Sequence, residues 1–187
     1  MKVDRRIKKT RDAITKAFIE LMAEKDFEEI TINQLSERAN LNRGTIYLHY
    51  ADKYDLLDKC IGEQFAELMK VCGSKEQEDV HFPTLESLIA TSEYFEKHFL
   101  FYSSMLTNKG MPSFRERLHE VMVEGINEQV NLDDLNKGFN KEFLVQFMAS
   151  AIVGTIEWWI KNEMPIPAKI MAQEIWELLE RNQINKK

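Results

Sequence analysis

Apolar residues recur at helical spacing along nearly the whole chain. Near the start, five apolar side chains follow the i, i+3, i+4, i+7, i+8 rule and predict a helix over Arg5 to Lys25 with one buried stripe. They are Ile14, Ala17, Phe18, Leu21 and Met22. We find no convincing strand pattern, so the chain is predicted to be all-α.

Two shorter helices follow the first. Thr31 and Gln34 have the spacing of a capping box, which predicts the start of the second helix. Asn40 suits the left-handed turn that would end this helix. Asn42 can cap a third helix over Arg43 to about Tyr50. Two short helices joined by a turn of about three residues form a helix-turn-helix.

The later part of the chain is predicted to contain six more helices. The segment CGSKEQEDVHFP loses the apolar rhythm and indicates a loose connection. We predict a three-helix helix-turn-helix domain over 1–52, with a basic arm over 1–11, and a larger helical domain over 53–187. The later helices are predicted over Lys53 to Val71, capped by Asp52, and over Thr84 to His98, Phe99 to Asn108, Ser113 to Val130, Phe139 to Glu163 and Ala168 to Asn182.

Charge is distributed unevenly along the chain. The formal net charge is -6, yet residues 1–50 carry 10 Lys+Arg against 8 Asp+Glu. The first 11 residues hold six cations and only one acidic residue, Asp4. A local cation cluster can bind a polyanion while the rest of the molecule repels it. A solvated, charged terminus accounts for the same residues, so the cluster alone does not decide between the two.

The third predicted helix has a polar outward face, because only Ile46 and Tyr50 are placed to point inward. Arg43 can donate two hydrogen bonds to a guanine edge, Gly44 lets the backbone approach closely, and Thr45 can offer a hydroxyl or a methyl group to bases. The alternative is a solvated helix whose polar side binds nothing.

Three further residues near this helix suit the DNA backbone. Tyr47 and His49 have hydrogen-bonding tips that can meet phosphates, and Lys53 lies one turn further along. Together with the base-facing residues, they define a candidate DNA-binding surface.

A specific sequence match supports this interpretation. Residues 11–57, which include the run FEEITINQLSERANLNRGTIYLHYADKYDLL, resemble the DNA-binding domain of the TetR/AcrR family of one-component regulators. Asn40 and Asn42 stand where glycine and serine are common in that family, and Tyr50 stands where phenylalanine is usual. These departures leave the fold expectation intact but affect the expected base preference.

The resemblance implies an all-helical homodimer with a ligand-binding and dimerising second domain. It implies that Arg43, Gly44 and Thr45 face bases and that Tyr47, His49 and Lys53 hold phosphates. It also implies a base or backbone contact for Asn33. The basic arm can reach the minor groove or the backbone, although many family members make no such use of it.

The helix predicted over Phe139 to Glu163 is long, ~37 Å at 1.5 Å per residue. A glycine inside it, Gly154, costs ~1 kcal/mol relative to alanine, and close approach of another helix explains its presence. This helix and the last one are apolar over wider arcs than one small domain covers, so we infer a four-helix dimer interface. The alternative is packing inside a monomer. The predicted interface residues are Phe143, Phe147, Ala151, Gly154, Trp158, Ile175, Trp176 and Leu179.

Aromatic residues are concentrated in the second domain. Of 19 aromatic residues in the chain, 13 lie from Phe82 onward. They can line a cavity for an apolar or aromatic effector, or they can form the core. The predicted pocket residues are Phe95, Phe99, Tyr102, Phe114 and Trp159.

The sequence contains no pattern that indicates an enzyme. The histidines at 49, 81, 98 and 119 have no metal-ligand spacing, and there is no nucleophile elbow or glycine-rich phosphate loop. Cys60 and Cys72 form no CxxC pair. We therefore predict no catalytic activity, no cofactor and no metal.

The chain is predicted to be cytoplasmic, with no membrane partner. Its charged start lacks the apolar region of a secretory signal. The longest uncharged apolar stretch, Phe143 to Ile156, is shorter than the ~20 residues that span a bilayer.

Together these features predict a DNA-binding transcriptional regulator. We expect a homodimer that binds a palindromic double-stranded operator and acts as a repressor released by a small-molecule effector. The alternatives are a ligand-dependent activator of the same family and a helical protein-interaction module without DNA binding.

Overall fold

The computed structural model describes residues 5–72, 84–107, 112–127, 130, 132 and 136–181. These residues form helices and no strand, so the all-α prediction is confirmed. Residues 1–4 of the predicted arm, His81, Phe82 and the predicted helix ends at Asn108 and Asn182 lie outside the described residues. The helices are α1 (Arg5–Glu24), α2 (Ile32–Ala39), α3 (Arg43–Tyr47), α4 (Lys53–Cys72), α5 (Leu85–Lys97), α6 (Phe99–Thr107), α7 (Pro112–Asn127), α8 (Lys141–Lys161) and α9 (Ala168–Arg181), with a 3-10 turn at Phe27–Glu29.

The described residues divide into two compact units. The first unit draws on Met1–Gln64 and Leu100–Pro112, and the second on Phe65–Phe99 and Ser113–Lys187. The boundary therefore falls inside α4, and α6 from Leu100 onward belongs to the first unit although it follows α5 in the chain. The predicted boundary between a DNA-binding domain over 1–52 and a second domain over 53–187 stays a prediction.

The first unit is built around the apolar stripe of α1. All five predicted stripe residues are buried, α2 packs against α1, and α3 packs against α2. Phe18 and Phe27 meet edge to face, with 6.2 Å between ring centroids. Leu35 of α2, Ile46 of α3 and Leu56 of α4 complete this core.

The predicted helix caps are confirmed. Thr31 Oγ1 accepts a hydrogen bond from Gln34 N at 3.3 Å, and Gln34 Oε1 accepts one from Thr31 N at 3.0 Å. Asn40 is in the left-handed region, with φ 52° and ψ 47°. Asn42 Oδ1 accepts from Gly44 N at 2.9 Å. Each cap pairs backbone groups that a helix end leaves without a partner.

The third helix is shorter than predicted and ends at Tyr47. Beyond it, His49 N and Tyr50 N both donate to Ile46 O at 2.9 Å, which closes a last turn before α4 begins at Lys53. Asp52 caps α4, as predicted: its Oδ1 accepts from Tyr54 N at 2.9 Å and from Asp55 N at 2.8 Å.

In the second unit, α5 packs against α9, and α8 is shorter than predicted. Asn140 Oδ1 caps α8 by accepting from Phe143 N at 3.0 Å. Beyond its end, Glu163 and Met164 have φ values of 57° and 55°, which cannot continue a right-handed helix. The α7 helix is described over Pro112–Asn127, and residues 128 and 129 of its predicted end lie outside the described residues.

One helix, α8, is long and apolar enough to cross a membrane by length and composition. Its mean hydropathy reaches 1.5, and half of that stretch is already buried inside the protein. The core helix of a folded domain has the same properties. The buried residues of α8, among them Val153, Ile156 and Trp159, contribute to the core of the second unit.

Candidate nucleic-acid interface

The helix-turn-helix is held to α1 by an ion pair. The Arg38 guanidinium on α2 donates to both carboxylate oxygens of Glu24, at 2.8 Å and 2.7 Å, and lies 3.6 Å from Glu20. The hydrogen bond from Arg38 lowers the pKa of the Glu24 carboxyl below its usual value. The two parallel hydrogen bonds set the orientation of α2 against α1, in addition to the attraction between the two charges.

The end of α3 is held from the core side. Tyr50 is buried, and this burial raises the pKa of its phenol. Nearby, Cys60 Sγ on α4 lies 3.8 Å from Thr15 Oγ1 on α1. Burial raises the pKa of the Cys60 thiol to about 12, so the thiol is protonated at neutral pH and acts as a packing group.

The predicted base-facing residues lie at the surface. Arg43 and Gly44 are exposed, and Thr45 is half-buried. Ile46 and Tyr50, buried four residues apart, fix the inward side of this segment. Gly44 and Leu48 fall on the opposite side of the helical wheel, and Leu48 is the most exposed large apolar residue among those described.

The other predicted contacts flank this surface, with one difference. Tyr47 and Asn33 are exposed and His49 is half-buried. Lys53, in contrast, has only 16% of its side chain exposed. Its ammonium donates to Phe27 O at 3.1 Å, Glu28 O at 3.0 Å and Glu28 Oε2 at 3.2 Å. Its phosphate contact stays a prediction, and in this structure the charge is directed at the 3-10 turn.

The described part of the basic arm is helical. Arg5, Arg6, Lys8 and Lys9 are exposed on the first turns of α1. Their contact with DNA stays a prediction.

The outward face of α8 is apolar. Phe143, Phe147 and Trp158 are 65%, 60% and 52% exposed, and Ala151 is exposed between them. A Cβ atom added to Gly154 would meet no heavy atom of the described residues within 4 Å. Packing among the residues that the structure describes therefore does not explain the glycine, and the predicted approach of another helix stays a prediction.

The predicted interface residues of α9 are placed differently. Ile175 and Leu179 are buried within the chain, and Trp176 is half-buried. Periodicity identified the apolar residues of α9 but not which of them face inward. Its exposed apolar residues are Ile170 and Leu178, which the predicted interface omitted.

The predicted pocket residues have the surroundings of core residues. Phe95, Phe114 and Trp159 are buried in the second unit, and Phe114 stacks on Phe65 with 5.4 Å between ring centroids. Trp159 Nε1 donates to Ile166 O at 2.8 Å. Tyr102 is buried in the first unit and Phe99 is half-buried, so the pocket stays a prediction. Within the described ranges, no group of three or more His, Cys, Asp or Glu side chains could hold a metal ion.

A helix-turn-helix that exposes the polar side of its second helix has the arrangement with which DNA-binding proteins of this class enter the major groove. Residues 14–60 match the family described as "Bacterial regulatory proteins, tetR family", and residues 84–181 match the "Transcriptional regulator C-terminal region". The chain therefore belongs to the TetR family of transcriptional regulators, as its resemblance implied. Members of this family bind DNA operators and dimerise.

Individual proteins that are similar to this chain are also named as regulators. The chain is 43% identical over 68 residues to the uncharacterised HTH-type transcriptional regulator YxbF of Bacillus subtilis, a match that covers 36% of this chain and 18% of that protein. A TetR transcriptional regulator from Streptococcus agalactiae has a solved structure with 27% identity and a TM-score of 0.67, covering 94% of this chain and 96% of that one. The fatty acid degradation regulator FadR from Bacillus halodurans shares the fold, with 16% identity, a TM-score of 0.72 and full coverage of both chains.

Proposed function

We propose that this chain forms a cytoplasmic homodimer that represses transcription by binding a palindromic operator and is released by a small-molecule effector. Two surfaces support the proposal: the polar outward side of α3 and the apolar outward side of α8. Repression and effector release are typical of the family.

The surface of α3 suits base reading. Arg43 begins the helix and is exposed, so its guanidinium can reach a guanine edge in the major groove. Gly44 adds no side chain that would hold the backbone away from the bases, and Thr45 lies beside it. Tyr47 and His49 then contact phosphates and set the register of the helix on the duplex.

Asn33 extends this surface to α2. It lies in the first turn of that helix and is exposed, whereas the neighbouring Thr31 uses its hydroxyl to cap the helix. We therefore assign a DNA contact to Asn33 and a structural role to Thr31.

The surface of α8 suits a second copy of the chain. Three large aromatic residues, Phe143, Phe147 and Trp158, share one side of a 21-residue helix, with the small residues Ala151 and Gly154 between them. Exposed apolar patches of this kind mark protein interfaces, and small residues let two helices approach closely. Ile170 and Leu178 of α9 add exposed apolar surface.

Dimerisation supplies the second copy of α3 that a palindromic operator requires. Two copies of α3 must reach half-sites about 34–36 Å apart, one turn of B-DNA. A two-fold symmetric dimer accordingly reads a palindromic site.

Effector release requires that binding of the effector in the second unit changes the position of an element in the first unit. The α4 helix is part of both units, with its first half in one and its last residues in the other. An effector bound among the aromatic residues of the second unit would shift α4 and so change how the two α3 helices meet their half-sites.

Selection of bound duplexes tests the proposal directly. The purified protein is incubated with fragments of its source genome, and bound fragments are recovered, sequenced and measured by gel shift over a range of salt concentrations. We expect palindromic sites with salt-sensitive affinity. A dimeric protein that selects no fragment would indicate a helical interaction module instead. Increased transcription from a selected promoter would indicate an activator.

A further inference from the structure

The turn that follows α3 is in contact with a lysine of α4. Lys59 Nζ donates to His49 O at 3.3 Å and lies 5.2 Å from the centroid of the Tyr50 ring. Carbonyl groups at the C-terminal end of a helix carry partial negative charge, so a nearby cation is favourable. The last turn of α3 contains no basic residue, and the cation comes instead from α4, ten residues after His49.

An aspartate one turn earlier in α4 holds this lysine. Asp55 Oδ2 accepts from Lys59 Nζ at 2.7 Å and from Ala51 N at 2.9 Å. The hydrogen bond from Lys59, followed by that from Ala51, lowers the pKa of the Asp55 carboxyl below its usual value, so the carboxylate is ionised at neutral pH. We call Asp55 and Lys59 the α4 clasp. Together they contact three consecutive residues, His49, Tyr50 and Ala51.

The clasp lies where it can set the position of one predicted phosphate contact. Lys59 bonds the backbone of His49, and the His49 side chain is half-buried at the edge of the candidate DNA-binding surface. Hydrogen bonds form only within a narrow range of distances, so a displacement of the His49 backbone by about 1 Å would break a bond from its imidazole to a phosphate. The reach of His49 toward DNA therefore depends on the contact that Lys59 makes.

We propose that Lys59, held by Asp55, is a positioning residue that places His49 against a phosphate of the operator. This inference rests on the proposed DNA-binding function. Lys59 acts through the His49 backbone, and the phosphate contact itself belongs to His49. Because both residues of the clasp lie on α4, a movement of this helix that breaks the clasp also releases His49.

A double-mutant cycle on DNA affinity tests whether Lys59 acts through His49. The four proteins are the wild type, Lys59→Met, His49→Ala and the double variant, and circular dichroism checks that each is helical. The probe is a labelled duplex that the wild-type protein selects from a randomised library. Affinity is measured by fluorescence anisotropy at several salt concentrations. Lys70→Met is the matched control, because it removes a lysine that pairs with Glu67 near the other end of α4.

We expect Lys59→Met to bind the duplex about tenfold more weakly than the wild type. This corresponds to about threefold for each of two subunits, the size of a surface ion pair. Lys70→Met should bind like the wild type. In the His49→Ala background, Lys59→Met should have no further effect, because the contact that it supports is already lost.

Two outcomes of the cycle would overturn the proposal. One is wild-type affinity in Lys59→Met. The other is a loss of equal size in both backgrounds, which would make Lys59 independent of His49. In the His49→Ala background, a direct phosphate contact of Lys59 would also appear as a salt slope that Lys59→Met lowers by about 0.9 per subunit.

A second measurement follows His49 in the free protein and needs no DNA. The imidazole proton signals are recorded by nuclear magnetic resonance for the wild type, Asp55→Asn, Lys59→Met and Lys70→Met, with the His49 signal assigned through its backbone resonances. Asp55→Asn and Lys59→Met remove opposite charges, so a displaced imidazole should shift in the same direction in both. It should not shift in Lys70→Met.

An unchanged His49 signal in the two clasp variants would overturn the proposal. Shifts in opposite directions would do the same, because they would report only the changes in charge. If the wild-type protein selects no duplex, the proposed function fails, and the His49 signals still show whether the clasp holds this residue.

Discussion

The outward sides of α3 and α8 differ in chemistry. The α3 side presents Arg43, Thr45 and Tyr47, which can exchange hydrogen bonds with water for hydrogen bonds with DNA. The α8 side presents Phe143 and Phe147. These side chains stabilise a contact only when another apolar surface covers them and removes them from water. The first surface suits a reversible, salt-sensitive contact, and the second suits a lasting contact between proteins.

The two helices also differ in how much they depend on their surroundings. A helix of five residues such as α3 is not stable by itself in water, because nucleation is costly. Its position comes from the Asn42 cap, the buried Ile46 and the packing of α2. The α8 helix has 21 residues and a buried side of its own. The proposed recognition surface therefore lies on the less autonomous helix, so we expect DNA binding to be sensitive to changes elsewhere in the first unit.

A charge placed on the apolar side of α8 should have the largest effect. Phe147→Glu puts a carboxylate into the proposed dimer interface, where it would be buried without a partner. We expect a monomer by light scattering and at least about 100-fold weaker operator binding, because two half-sites can no longer be held by one dimer.

Gln146→Glu is the matched control for this variant. Gln146 is exposed on the same helix, beside Phe147 but outside the apolar side. It should leave the dimer and its DNA affinity unchanged. A dimeric Phe147→Glu protein would remove α8 from the interface.

Loss of a base contact on α3 should come next. We expect Arg43→Ala to weaken operator binding by about 1–3 kcal/mol and to relax preference at one base pair of each half-site. Gel shifts on operators with single base changes measure this. Tyr47→Ala should weaken binding on all sequences alike, and Lys16→Ala, a charge change on α1, should have little effect. Equal losses on every sequence would exclude Arg43 from base reading.

Removal of the α3 cap should have a smaller effect, and this effect should be mainly on the free energy of unfolding. Asn42→Ala leaves the Gly44 N–H without its side-chain acceptor. We expect a loss of ~1 kcal/mol in the free energy of unfolding, measured with urea. The same change at Asn127, exposed at the end of α7, should stay within about 0.5 kcal/mol. An unchanged Asn42→Ala protein would show that packing alone holds α3.

The smallest expected effect is a pH dependence of the protein's stability. It arises from Glu157, which lies beside the apolar side of α8. Partial burial would raise the pKa of Glu157, but hydrogen bonds from Lys161 and Arg115 outweigh it and lower this pKa below 4.5. Because the folded-state pKa is lowered, the ion pairs stabilise the protein above about pH 4.5, and this contribution is lost as the pH falls through the lower folded value.

Glu157→Gln tests this dependence. The stability difference between wild type and variant, measured by urea denaturation, should be present at neutral pH and shrink in acid. A difference that is independent of pH would mean that the carboxylate charge does not stabilise the fold.

Local features were predictable from the residues that form them. The capping box of Thr31 and Gln34 and the cap at Asn42 each join residues at most three apart, and all form as predicted. The α1 stripe follows from helical spacing alone. Placement of Arg43 and Tyr47 on an exposed surface likewise required only the inward positions of Ile46 and Tyr50.

Features that join distant elements were not predictable. The α9 residues Ile175 and Leu179 are as apolar as Leu178, and only the packing of α9 against α5 distinguishes inward from outward. The deciding contact comes from another helix.

The sequence by itself determined the helices, their caps and the family, because these depend on residues a few positions apart or on one continuous motif. The tertiary structure alone decided where the Lys53 ammonium points and which side of α9 is buried. A long, flexible side chain takes the acceptors within its reach, and residues 25 or 26 positions earlier supply those acceptors only after the chain has folded.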